Sequence, residues 1–168
     1  MTTVTRHTVL PIAPDALAGL RARDDAGREC VPYEDAEGGA PLRCCLRHSR
    51  PGERIALVSY APLRRWAAAT GARPGAYDEQ GPVFVHAEDC GGPARGRGYP
   101  FARPGVQRTA RRYSARGHIL GGRVLTLGED PGTELGQALD EAFADPEVAL
   151  VHLRAAEFGC FLYEVRRP

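Results

Sequence analysis

Short apolar runs separated by glycine, proline and charged residues recur along the chain, a pattern typical of β-strands joined by turns. It predicts seven strands, over residues 42–48, 55–60, 83–86, 106–113, 117–127, 148–152 and 160–165. The turn chemistry of Pro51-Gly52 predicts that the first two strands form a hairpin. Gly121-Gly122, inside the fifth strand, indicates a bulge or a close approach of another stretch of backbone.

Three segments have helical features instead. Residues 133–144 have one apolar face at three–four spacing and end before Asp145-Pro146. Residues 14–23 begin at Pro14, which suits the first turn of a helix. Residues 62–70 are expected to make one or two helical turns, ending at Gly71.

Strands grouped between two main helices favour an α+β fold with a mostly antiparallel or mixed sheet. The length of 168 residues fits a single domain spanning the whole chain. Residues 28–40 and 90–105 lack periodicity and are predicted to be loops.

Composition excludes several classes of protein. The 22 basic residues are all arginine and nearly balance the 21 acidic ones, and a net charge of +1 argues against nucleic acid as a partner. No apolar run is long enough to cross a bilayer, and Met1 to Leu10 does not have the pattern of a secretory signal. An odd number of cysteines, five, favours free thiols and a cytoplasmic location.

Two of the predicted strands each deliver a histidine to their end, with a cysteine close behind. His86 precedes Cys90 by four residues, and His152 precedes Cys160 by eight. Because imidazoles and thiols exchange protons and attack substrates near neutral pH, we expect a site where the two strand ends converge. His86 or His152 is the expected acid or base, and Cys90 or Cys160 the expected thiol.

The same side chains allow a different interpretation, a non-enzymatic protein with a structural zinc ion. Zinc is bound by Cys and His in tetrahedral sites. The candidate ligands are Cys45, His86, Cys90, His152 and Cys160. A third interpretation is that Cys45 and Cys160 are small buried apolar residues and that His152 belongs to the core.

Arginines mixed with aromatic residues suit the binding of an anionic small molecule, because a guanidinium group forms two parallel hydrogen bonds with a carboxylate and stacks on aromatic rings. They are concentrated in one stretch of loop and strand: Arg95, Arg97, Arg103, Arg108, Arg111, Arg112, Arg116 and Arg123, with Tyr99, Phe101 and Tyr113. The candidate ligand-binding residues are Arg154, Arg112, Tyr113 and Glu88. The alternatives are a solvated strand face or a partner-binding loop around Arg97 and Arg103.

Several motifs resemble one protein family. They are Arg43-Cys44-Cys45-Leu46-Arg47, Pro51-Gly52-Glu53, Tyr60-Ala61-Pro62-Leu63, the run from Gly81 to Glu88 followed by Cys90, Arg112-Tyr113-Ser114-Ala115, Val151-His152-Leu153-Arg154 and Gly159-Cys160. From about residue 40 to the end, the chain resembles the domain-of-unknown-function family 1203. The resemblance implies a small cytosolic bacterial protein without an assigned activity, and draws attention to His86, Cys90, His152, Arg154 and Cys160 as a set.

Overall fold

The computed structural model describes residues 5–168; residues 1–4, the start of the segment predicted to hold no secretory signal, lie outside the described part. Its helices are α1 (Pro14–Ala22), α2 (Pro62–Thr70) and α3 (Pro131–Phe143), with a short 3₁₀ turn at Gly75–Tyr77. Its strands are β1 (Thr8–Leu10), β2 (Tyr33–Asp35), β3 (Pro41–Leu42), β4 (Arg47–His48), β5 (Glu53–Tyr60), β6 (Gly81–His86), β7 (Gln107–Ser114), β8 (Ile119–Thr126), β9 (Val148–Ala155) and β10 (Phe161–Arg166).

The strands form two five-stranded sheets. The first sheet has the order β1-β10-β9-β7-β8 and is antiparallel throughout. The second sheet has the order β2-β5-β6-β3-β4 and is antiparallel except for the parallel pair β3–β6. The predicted α+β fold with antiparallel or mixed pairing is confirmed, although the strands are divided between two sheets and there are three α-helices.

Each sheet is covered by a helix that presents its apolar stripe. The face predicted for the third helix is buried, with Leu139 inaccessible to solvent, and α3 packs on β9 of the first sheet. On the second sheet, Leu17 and Leu20 of α1 join the core beside Ile55. Full burial of one leucine side chain stabilises a fold by about 1.5–3 kcal/mol, so these contacts fix both helices on their sheets.

Residues 42–48 differ from the predicted single strand. β3 and β4 are separated by a tight turn in which Leu46 has a φ of 55°, and the two short strands pair with each other. The turn at Pro51-Gly52 is present, with the Glu53 amide donating to the Arg50 carbonyl over 3.1 Å. The predicted hairpin is wrong, because β5 pairs with β2 and β6 rather than with β4.

Residues 28–40, predicted to be a loop, contain the strand β2, which pairs with β5. Two other predicted features of the backbone are present. The pairing between β7 and β8 shifts register after Arg112, which faces Gly121, and this is the expected bulge. The loop predicted at residues 90–105 has no strand or helix, and Tyr99 and Phe101 are buried in the core and anchor it. Among residues 5–168, no helix has the length and apolar character needed to span a bilayer.

Candidate metal centre

The turn between β3 and β4 carries two adjacent cysteines into the interior. The Arg43 amide donates to the Phe84 carbonyl over 2.9 Å, which fastens this turn to β6. Cys44 and Cys45 follow directly and are 1% and 6% exposed. Adjacent residues on a strand would point to opposite faces, whereas the turn lets both thiols lie on one side.

His86, the last residue of β6, meets these two thiols. Its Nδ1 lies 3.4 Å from Cys44 Sγ and 3.7 Å from Cys45 Sγ, and the two sulfur atoms are 4.0 Å apart. The His86 backbone amide also donates to Cys44 Sγ over 3.2 Å. Cys90, in the loop after β6, completes the group, and all four donor atoms lie within 4.8 Å of one another. The predicted proximity of His86 to Cys90 and Cys45 is therefore confirmed.

These spacings are close to those of a tetrahedral zinc site. Zinc–sulfur bonds of about 2.3 Å and zinc–nitrogen bonds of about 2.0–2.1 Å imply sulfur–sulfur edges of about 3.8 Å and sulfur–nitrogen edges of about 3.6 Å. The separations between Cys44, Cys45 and His86 are 3.4–4.0 Å. A metal ion would fit among these three atoms with only small movements of the side chains, and the Cys90 thiol, within 4.8 Å of them, would have to move inward by up to about 1 Å to complete the shell.

The opposite side of the His86 ring is supported by an acidic residue. Glu53 Oε2 lies 3.4 Å from His86 Nε2. Arg47 holds this carboxylate with two hydrogen bonds of 2.6 and 3.0 Å, and the Arg50 amide adds a third of 2.8 Å. The hydrogen bonds from Arg47 and Arg50 lower the pKa of Glu53 to about 2, so it stays ionised. Arg47 Nη2 also lies 3.4 Å from His86 Nε2. The tautomer that carries its proton on Nε2 and donates it to Glu53 would leave the Nδ1 lone pair free for a metal.

The thiols of the cluster differ in acidity. Cys44 donates a hydrogen bond to Cys45, which lowers the pKa of Cys45 and raises that of Cys44. Burial raises the pKa of Cys90. In the metal-free protein Cys45 therefore loses its proton first, and a metal ion binding there would displace the remaining thiol protons.

Arg21, on α1, holds the segment between the histidine and the last cysteine. Its Nε donates to the His86 carbonyl over 3.0 Å, and its Nη2 donates to the Glu88 carbonyl over 2.9 Å. The Glu88 carboxylate forms an exposed ion pair with Arg54 at 2.8 Å. Glu88, a predicted ligand-binding residue, therefore contributes its backbone rather than its side chain to this region.

His152 is not part of the group. It lies in the middle of β9 rather than at a strand end, so the predicted convergence of two strand-end histidines is wrong. Its ring is fully buried beside Tyr113 and Phe161, with centroid separations of 4.7 and 5.0 Å. Its Nε2 is 3.2 Å from Glu164. This placement matches the alternative prediction of a core histidine.

Cys160 also lies outside the group. It lines an apolar cavity of about 620 Å³ between the two sheets, here called the inter-sheet cavity, whose walls include Leu57, Phe84 and Leu162. Of the candidate zinc ligands predicted from the sequence, His152 and Cys160 therefore do not lie in the Cys/His group, and Cys44, which does, was not among them. The Cys44-Cys45 doublet was the available signal, but a strand over residues 42–48 would have pointed the two side chains apart.

The predicted anion-binding residues do not all lie together: Arg154 and Tyr113 lie around Arg111 and Glu79, whereas Arg112 and Glu88 lie elsewhere. Arg154 Nη1 lies 3.1 Å from Glu79, which also pairs with Arg111. Tyr113 is buried and accepts a hydrogen bond of 3.3 Å from Arg111. Arg112, one residue along β7, lies on the opposite face of the first sheet beside Glu141 of α3. These residues do not form a common site with the Cys/His group.

Comparison with known proteins places the chain in a family but not with any characterised relative. No curated protein and no solved structure is significantly similar to it. The family model described as "Protein of unknown function (DUF1203)" matches residues 39–167. The matched segment contains all four residues of the Cys/His group. On this match, the chain belongs to the DUF1203 family.

Proposed function

We propose that this protein binds one zinc ion through Cys44, Cys45, His86 and Cys90, and that the ion stabilises the fold rather than catalysing a reaction. The observation that carries the proposal is the approach of three thiols and one imidazole nitrogen to within 4.8 Å. Three sulfur ligands and one nitrogen ligand are a common zinc-binding set, and soft thiolates select against calcium and magnesium.

A structural role is favoured by the number and burial of the ligands. Four protein ligands fill a tetrahedral shell and leave no position for a substrate or an activated water. Cys44, Cys45 and His86 are all less than 9% exposed. The ion would join the β3–β4 turn, the end of β6 and the loop that follows β6, and so reinforce the hydrogen bonds that already hold this turn to β6.

A catalytic thiol is the competing function. The lowered pKa of Cys45 is compatible with a nucleophile. However, a catalytic His86 would need a ring nitrogen free to exchange protons with substrate. Its Nδ1 faces two thiols and its Nε2 faces Glu53. This engagement of both nitrogens supports metal binding over acid–base chemistry.

The test is metal analysis of protein purified without added metal. We expect about one zinc per chain in the wild type and loss of that zinc in Cys44→Ser and His86→Ala. Cys160→Ser is the matched control, because it removes a free thiol outside the cluster. A folded wild type that contains no zinc, and takes up none when zinc is supplied, would overturn the proposal. Rapid alkylation of Cys45 in that protein would then favour the catalytic thiol.

The proposed setting is the cytoplasm, with neither nucleic acid nor membrane as partner. Five cysteines without a disulfide support a reducing compartment. A net charge of +1 supports the absence of a polyanionic partner. Fractionation of the cells that express the protein naturally tests the location.

A further inference from the structure

The inter-sheet cavity lies apart from the Cys/His group and has the dimensions of a small-molecule site. Its volume of about 620 Å³ falls in the range that such sites occupy. Leu57 and Phe84 form its wall on the second sheet, and Leu162 forms the wall on the first. Phe101 and Phe158, from two loops, complete an apolar lining.

Arg43 brings a positive charge to this lining without a compensating carboxylate. Its side chain is nearly buried, with the residue 3% exposed. Its Nε donates to the Phe161 carbonyl over 2.7 Å, and its Nη1 donates to the Pro41 carbonyl. Burial lowers its pKa to about 10. Because buried charges in proteins are normally paired, a buried guanidinium that has only carbonyl partners among residues 5–168 suggests an external anion.

Other positively charged side chains line the cavity together with Arg43. Arg108 is buried in the same wall, and Arg103 is exposed at the rim. The pKa of His48, which also lines the cavity, is lowered by burial and then by these two arginines and Arg43. Glu157 is the single carboxylate in the lining and lies 3.7 Å from Arg108. Three guanidinium groups therefore face one carboxylate.

Two lining residues leave large apolar surfaces in water. Phe158 is 90% exposed and Leu57 is 52% exposed. Exposed apolar groups beside a concave site are a common sign of a binding surface. The Phe101 ring meets His48 edge to face at 5.1 Å, so flat rings already pack against each other in this lining. A planar apolar group would extend that packing.

We propose that the inter-sheet cavity binds an aromatic carboxylate, with its ring among the phenylalanines and its carboxylate paired with Arg43 and Arg103. Arg43 supplies the buried positive charge, and Arg103 contacts the carboxylate from the side that faces the solvent. None of the four Cys/His residues lines this cavity, so the ligand proposed here would not contact the metal ion.

The test uses 2-naphthoate as the probe and 2-naphthylmethanol as its uncharged analogue, titrated calorimetrically into the full-length protein. We expect 2-naphthoate to bind at least about tenfold more tightly than the alcohol, since a charge-assisted pair is lost with the carboxylate. Equal affinities for the two compounds, or no binding of either, would overturn the proposal.

Variants locate the site. Arg43→Gln is the direct change, but it removes hydrogen bonds to two backbone carbonyls and can disturb the fold. Arg103→Gln avoids this problem, because Arg103 is exposed and forms no ion pair within the described part of the chain. We expect Arg103→Gln to weaken 2-naphthoate by about fivefold and to leave 2-naphthylmethanol unchanged.

The matched control is Arg116→Gln, which removes an exposed arginine in the turn between β7 and β8. It should bind 2-naphthoate as the wild type does. Equal weakening by Arg103→Gln and Arg116→Gln would mean that net charge alone attracts the probe, which contradicts a defined site. Tighter binding of decanoate than of 2-naphthoate would overturn the aromatic assignment.

Discussion

Glu53 approaches His86 from the side of the ring opposite to the thiols. Its Oε2 lies 3.4 Å from Nε2, while Nδ1 faces Cys44 and Cys45. A carboxylate in this position fixes the tautomer of a metal-binding histidine and increases its basicity. Arg47 holds the carboxylate in turn, so the support extends outward to a third residue. Glu53 is thus a positioning residue for the proposed zinc ion rather than a ligand.

Glu53→Gln should therefore weaken zinc binding while all four ligands remain. We expect a loss of about 10- to 100-fold in zinc affinity, measured by competition with a chromophoric chelator. Glu88→Gln is the matched control, because the Glu88 carboxylate pairs only with exposed Arg54. Wild-type affinity in Glu53→Gln would show that the carboxylate does not support the metal.

Arg21→Met should loosen the segment that carries Cys90. The guanidinium of Arg21 joins α1 to the carbonyls of His86 and Glu88, and its loss leaves the loop with fewer restraints. We expect zinc to be released to a chelator severalfold faster than from the wild type. The positions of Cys44, Cys45 and His86 should change little. Arg23→Met is the control, since within residues 5–168 the Arg23 guanidinium contacts the nearby Gly27 carbonyl and Glu29 and not the segment that carries Cys90. Equal release rates in the two variants would contradict this role.

Three of the four residues of the Cys/His group, Cys45, His86 and Cys90, are among the candidates predicted from the sequence, and for His86 and Cys90 the reason is local. The run from Gly81 to His86 is apolar enough to form a buried strand, so a histidine at its end and a cysteine four residues later must lie close together. Cys44 could not be found in this way, because the turn that orients it requires Leu46 at a φ of 55°. Leucine seldom adopts that conformation, so the sequence carries no sign of the turn.

The error at His152 has a different cause. An apolar run that ends in a histidine resembles a strand that ends there, but β9 continues to Ala155. Arg154, two residues after His152, lies on the same face of the strand. It forms an ion pair with Glu79, and His152 pairs with Glu164. Tertiary ion pairs of this kind join residues from distant segments and have no signature in sequence spacing. For the same reason the arginines around the inter-sheet cavity could not be separated from those on the surface.

The buried pair of His152 and Glu164 should make stability depend on pH. Burial lowers the pKa of His152 below its ordinary value of 6.5. Its Nδ1 has no hydrogen-bond partner in the part of the chain that the structure describes, so protonation would leave a buried N–H unsatisfied there. The unfolded chain takes up this proton below about pH 6.5, whereas the folded chain resists it. The free energy of unfolding should therefore fall as the pH drops from 6.5 towards the pKa of the folded state.

Urea unfolding at several pH values between 7.5 and 5 checks this expectation. One proton contributes at most about 1.4 kcal/mol per pH unit. His152→Gln removes the titrating group, so the variant should lose less stability than the wild type over the same interval. Because both proteins keep the metal ligands, the difference between their slopes isolates His152. Identical slopes would mean that His152 does not contribute to the pH dependence.

Removal of zinc should lower the melting temperature of the wild type. A ligand present at about a thousand times its dissociation constant stabilises the folded state by about 4 kcal/mol. For a chain of 168 residues, each kcal/mol corresponds to about 2–4 °C, so excess chelator should lower the melting temperature by about 8–16 °C. Cys44→Ser should melt at the lower temperature with or without chelator, whereas Cys160→Ser should respond to it as the wild type does. If the chelator removes zinc and the melting temperature of the wild type does not change, the ion is bound but has no structural role, because a structural ion must bind the folded state more tightly than the unfolded chain.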